Sequence, residues 1–138
     1  MQTTPTQLTP PSTGALWTGR IMSGAVILFL LFDGGIKLVP LEIVTEASAQ
    51  LGLPATAAMA RTLGILALAS TLLYAIPRTS VLGAILLTGY MGGTIATHLR
   101  IDSPLLTHTL FGLYLALVAW GGLYLREPRL RALIPFRR

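Results

Sequence analysis

The sequence predicts an all-α fold, a four-helix transmembrane bundle that runs up-down-up-down with both termini cytoplasmic. Four apolar runs are each close to the roughly 20 residues an α-helix needs to cross the hydrocarbon core. Prolines stand at or near the ends of three of them, where a missing N–H stops a helix. The links between the later runs are too short for anything but antiparallel neighbours. Hydrophobic residues make up 53% of the 138-residue chain and charged residues 11%, less than half the usual charged share. With a mean hydropathy of +0.71, lipid is the solvent that fits this surface.

Residues 1–15, rich in Thr, Pro, Ser and Gln, offer little to bury and are expected to form a disordered arm. The membrane domain follows at 16–126. Its first span is expected at 16–39, stopped by Pro40, and the second at 57–76, closed by Pro77. The third is expected at 81–99 and the fourth at 105–125, with Pro128 soon after. Between the first two spans, Leu41, Ile43, Val44, Ala47 and Leu51 have the spacing of a short amphipathic helix at the interface. Residues 127–138 are expected to form a basic cytoplasmic tail.

Orientation follows from Lys and Arg. Arg20, Arg78, Arg126, Arg129, Arg131, Arg137 and Arg138 fall at one end of the bundle, and Lys37, Arg61 and Arg100 at the other. Seven against three predicts cytoplasmic termini. Trp17, Tyr74, Trp120 and Tyr124 lie near that end and read as an interfacial aromatic belt. The net charge of +5 does not signal nucleic-acid binding, because half of the basic residues follow the last apolar run as a membrane protein's tail would. A cleaved signal peptide is disfavoured too, since Asp33-Gly34-Gly35-Ile36-Lys37 is no small-residue cleavage site.

The residues that lipid should exclude are the informative ones. Asp33 and Lys37 are four apart on one helix face. Arg61 enters the second span, Tyr90, Thr94 and His98 form an i, i+4, i+8 stripe on the third, and His108 begins the fourth. Antiparallel topology brings all of them to the outer half of the bundle. A carboxylate at mid-bilayer costs about 2.5–3.5 kcal/mol on insertion scales, so inward pairing is expected, with Lys37, Arg61 and His98 as partners for Asp33. These seven residues are the candidates for ligand binding or proton handling. Gly89, Gly93 and Thr97, also four apart, are expected to pack against another helix, with a backbone-lined groove as the alternative.

The chain has no cysteine, which removes thiolate nucleophiles, cysteine-ligated metals and disulfides. His98 and His108 are the only histidines and show no metal-ligand spacing, so neither haem nor a metal is expected.

The stretch from Arg78 to Arg100, centred on Gly89-Tyr90-Met91-Gly92-Gly93-Thr94, closely resembles the DoxX-like family of small bacterial membrane proteins. Phe32-Asp33-Gly34-Gly35-Ile36-Lys37 and Trp120-Gly121-Gly122-Leu123-Tyr124-Leu125-Arg126 are similar to its flanking signatures. The likeness extends from about Ile21 to Pro135. It implies a four-helix bundle in the bacterial inner membrane. The wider group includes subunits associated with quinone-linked oxidation of sulfur compounds and with redox complexes. The short branch supplies no catalytic residues to carry over. The expected function is a redox-associated accessory subunit that binds a quinone or similar small apolar molecule in the outer half. The alternative is a non-catalytic scaffold or anchor for a partner protein or a second copy.

Overall fold

The computed structural model describes residues 7–39 and 41–134. The first six residues, Pro40 and the last four, which include Arg137 and Arg138, lie outside them. The described chain is helical throughout its regular structure and contains no strand. Six α-helices follow one another: α1 (Thr13–Leu38), α2 (Glu42–Gln50), α3 (Ala57–Ala75), α4 (Ser80–Arg100), α5 (Phe111–Arg126) and α6 (Pro128–Leu133). Four helical segments are long and apolar enough to cross a membrane; the last joins a π-helical turn, Leu105–Thr109, to α5.

The spans match the sequence-based expectation to within a few residues, except that α1 starts at Thr13, inside the segment expected to be an arm. Ser12 explains the early start, since its hydroxyl accepts a hydrogen bond from Ala15 N as an N-cap. Thr56 caps α3 in the same way through Met59 N. The described part of the tail, residues 127–134, contains a short helix. Pro128 opens α6, Glu127 caps it, and Leu130 is buried.

In cross-section the four spans form a square in chain order: α1 packs on α3 and α5, and α4 packs on α3 and α5. Large apolar side chains such as Leu28, Phe32, Ile65 and Leu117 stand on the outside, the reverse of a water-soluble bundle. A small residue holds each side of the square. A Cβ on Gly19 would stand 2.7 Å from Gly122 O, and one on Gly64 would stand 2.8 Å from Gly34 O. One on Gly83 would stand 2.1 Å from Tyr74 N, and one on Gly112 would stand 3.2 Å from Met91 O. Backbones meet at these points because no side chain separates them.

Gly89 and Gly93, expected to pack against a helix together with Thr97, meet no other helix of this chain. Nothing lies within 4 Å of where a Cβ on Gly89 or Gly93 would stand. The aromatic belt needs one correction too. Tyr74 is fully buried rather than interfacial. Its hydroxyl donates to Ala119 O (2.6 Å) and therefore accepts from Ser23 Oγ (2.9 Å), because a phenol has one proton. Arg126 Nε donates to the same Ser23 Oγ (3.1 Å), with its guanidinium carbon 5.5 Å from the centre of the Tyr74 ring. This directed chain ties α5, α1 and α3 together at the end of the bundle that carries the termini.

Candidate functional site, a chamber at the loop end

At the opposite end the square is hollow. A partly open cavity of about 710 Å³ lies among α1, α3, α4 and α5, with α2 across its top. Its volume is in the range of small-molecule sites. Phe29, Leu30, Met91, Phe111 and Leu115 form much of its apolar wall, and the rings of Phe29 and Phe111 meet edge to face at 5.4 Å.

Five of the seven polar candidates line this cavity: Asp33, Lys37, Tyr90, Thr94 and His98. Lys37 Nζ donates to Asp33 Oδ2, and both side chains keep some exposure, 19% and 29%. The pair closes α1 at its last turn, where a cation also meets the negative end of the helix dipole. The Lys37 ammonium offsets the charge of a carboxylate that lies within a candidate membrane span. His98 Nδ1 lies 3.0 Å from Ser103 Oγ, so Nε2 is the ring nitrogen left for a ligand. Thr94 is less available than expected. Its hydroxyl donates to Tyr90 O (3.2 Å), and Thr97 likewise donates to Gly93 O (2.8 Å). Both threonines therefore present acceptors to the cavity, and the donors come from Tyr90, Lys37 and His98.

Two candidates stand apart. Arg61 is exposed, and its Nε donates to Leu38 O (3.2 Å), satisfying a carbonyl at the end of α1. His108 is exposed, with its Nδ1 2.8 Å from Thr107 Oγ1. Its ring centre is 6.1 Å from that of His98, but it is not on the cavity wall. The cause is the π-helical turn, in which Thr109 N bonds to Pro104 O and Leu110 N to Leu105 O, five residues back. The wider turn rotates His108 away from the face an α-helix would give it.

Gly89, Gly93 and Thr97 lie on the cavity wall, so the face expected to meet a helix is a backbone-lined surface instead. The amphipathic α2 forms the roof. Val44 and Ser48 are buried, and Ile43, Ala47 and Leu51 also line the chamber. Its far end is fixed where Arg100 Nη2 donates to Leu51 O (2.8 Å). Gly52 follows at φ +69°, a backbone conformation that favours glycine, and the Arg100 guanidinium packs against it. The spacing of the α2 residues signalled a helix, but nothing in it signalled a roof. Phe29 and Phe111 carried no signal, being apolar residues in apolar spans. Among the described residues there is no cluster of three or more His, Asp or Glu side chains placed to hold a metal ion.

The fold and site define an integral membrane protein whose four spans pack closely in a square and leave a partly open amphipathic chamber at the loop end. Residues 21–122 match the DoxX-like family, and the chain belongs to it. Neither the curated proteins nor the solved structures include a significant match.

Proposed function

We propose that the chain is an accessory membrane subunit that holds a quinone, or a similarly flat apolar molecule with polar oxygens, in the chamber beneath α2. The observation that carries this reading is the convergence of Asp33, Lys37, Tyr90 and His98 on one largely apolar cavity. An apolar wall with a few convergent polar groups suits such a molecule. Ring oxygens would accept from Tyr90, Lys37 or His98, and the hydroxyls of a reduced ring would donate to Asp33 or Thr94. Reducing a quinone to a quinol takes two electrons and two protons. His98 and Asp33 are the groups able to hand on protons, and a partner redox protein supplies the electrons. By the positive-inside rule the termini face the cytoplasm and the chamber faces outward in the inner membrane.

The test uses purified full-length protein in nanodiscs titrated with a short-chain benzoquinone. A rise in thermal midpoint that is lost in His98→Ala, together with quinone extractable from the purified wild type, is the expected result. No shift and no extractable quinone would sink the reading.

A second reading draws on the open face at Gly89 and Gly93, which a helix of a partner or a second copy could occupy. Gly89→Leu separates the two. Dissociation of a partner with the quinone response intact favours the scaffold, and loss of the quinone response alone favours the chamber.

A further inference from the structure

The end of the bundle that carries the termini has a second groove, of about 440 Å³, between the α3–α4 hairpin and α6. It exists because α6 is held against the bundle. Arg131 donates from Nε to Tyr124 O (2.8 Å) and from Nη2 to Leu125 O, capping the end of α5, and Leu130 is buried beside it.

The arginines at this end are not equivalent. Arg126 is spent on Ser23 and the Tyr74 ring, Arg131 on the α5 carbonyls, and Arg20 lies 5.3 Å from the Trp17 ring centre. Arg78 and Arg129 are exposed, both line the groove, and neither side chain has a hydrogen bond or ion pair among the described residues. One carboxylate, Glu127, shares the groove, and its Oε1 already accepts from Arg129 N (3.1 Å). Two guanidiniums against one engaged carboxylate leave the groove positive. The rest of the lining is largely apolar, with Val81 and Leu133 standing exposed on it. The groove also sits where α3 ends and α4 begins, at the ends of two candidate membrane spans.

We infer that this groove binds the phosphodiester headgroup of an anionic phospholipid. Arg78 and Arg129 would hold the phosphate oxygens, and Val81 and Leu133 would meet the start of an acyl chain. Guanidinium groups pair geometrically with phosphate, and basic pockets between spans recognise anionic headgroups. Charge complementarity joined to an apolar wall selects a lipid over a free anion, which would have no use for the wall.

The test is retention of phosphatidylglycerol, against phosphatidylcholine, on the full-length detergent-solubilised chain, read by native mass spectrometry. The wild type should hold one phosphatidylglycerol in preference to phosphatidylcholine. R78Q/R129Q should weaken that binding about tenfold or more, as loss of charged hydrogen bonds implies. L133E, an exposed substitution that places a carboxylate in the groove, should do the same and guards against a folding defect in the double variant. R78K/R129K should retain part of the affinity, and R20Q should retain all of it. Unchanged binding in both R78Q/R129Q and L133E would overturn the assignment. So would an equal loss in R20Q, which would mean diffuse surface charge, or displacement of the lipid by millimolar inorganic phosphate, which would mean a free-anion site.

Discussion

Gly83 and Gly89 are less than two turns apart on α4, yet Gly83 belongs to the packed end while Gly89 stands mid-helix, where the chamber begins. At Gly83 the backbone of α3 is so close that a methyl group would overlap Tyr74, while at Gly89 a methyl group would meet nothing. The first end is knit by a buried polar chain from Arg126 through Ser23 and Tyr74 to Ala119. The second holds polar side chains around an open space. Lipid gives helices no hydrophobic reason to associate, so contact, hydrogen bonds and small residues must do the work. Close contacts persist at the loop end between α1 and α3, at Gly34 and Gly64, and between α4 and α5, at Gly112 and Met91; the chamber opens where α4 presents Gly89 and Gly93.

The largest effect is expected where the contrast is sharpest. Gly83→Val should destabilise the bundle by about 3 kcal/mol or more, at the top of the overpacking range, measured as the midpoint of SDS-induced unfolding. Gly89→Ala should be neutral, or stabilising by up to about 1 kcal/mol, through helix propensity alone. Equal losses at both positions would erase the distinction between the ends.

Tyr74→Phe comes next. It leaves Ser23 Oγ without its acceptor in a dry site and should cost about 1–3 kcal/mol, with the quinone response of the chamber unchanged. Asp33→Asn should cost less, about 0.5–1 kcal/mol, because the Lys37 pair is part-exposed. It should nevertheless reduce the quinone-dependent thermal shift. A variant that lost stability and kept the shift would mean that the pair is structural only. The smallest change belongs to Arg61→Ala, within about 0.5 kcal/mol and without effect on the ligand response, since its guanidinium serves a helix carbonyl outside the chamber.

The spans were legible because each is one long apolar run and Pro77 and Pro128 mark boundaries that a membrane helix cannot blur. Asp33, Lys37, Tyr90, Thr94 and His98 were legible as neighbours because a short-linked bundle fixes their depth. Facing directions were harder to read. The facing of His108 was misjudged because nothing in Leu105–Thr109 announces a π-turn, and a wider turn changes the angles of the residues in it. Tyr74 was taken for an interfacial ring because its sequence position near a span end is the same whether the ring points in or out. The role of Gly89 and Gly93 stayed ambiguous for a related reason. Glycines four apart permit a close neighbour, but only the course of α3 decides whether one arrives.

The Arg100 contact at Leu51 and Gly52 fixes the far end of the longest connection, and the end of α1 fixes the near one. Residues gained or lost between those two anchors would raise or lower the ceiling of the chamber without disturbing the four spans. Family members with the same frame and a different length between the anchors would then accommodate molecules of different height.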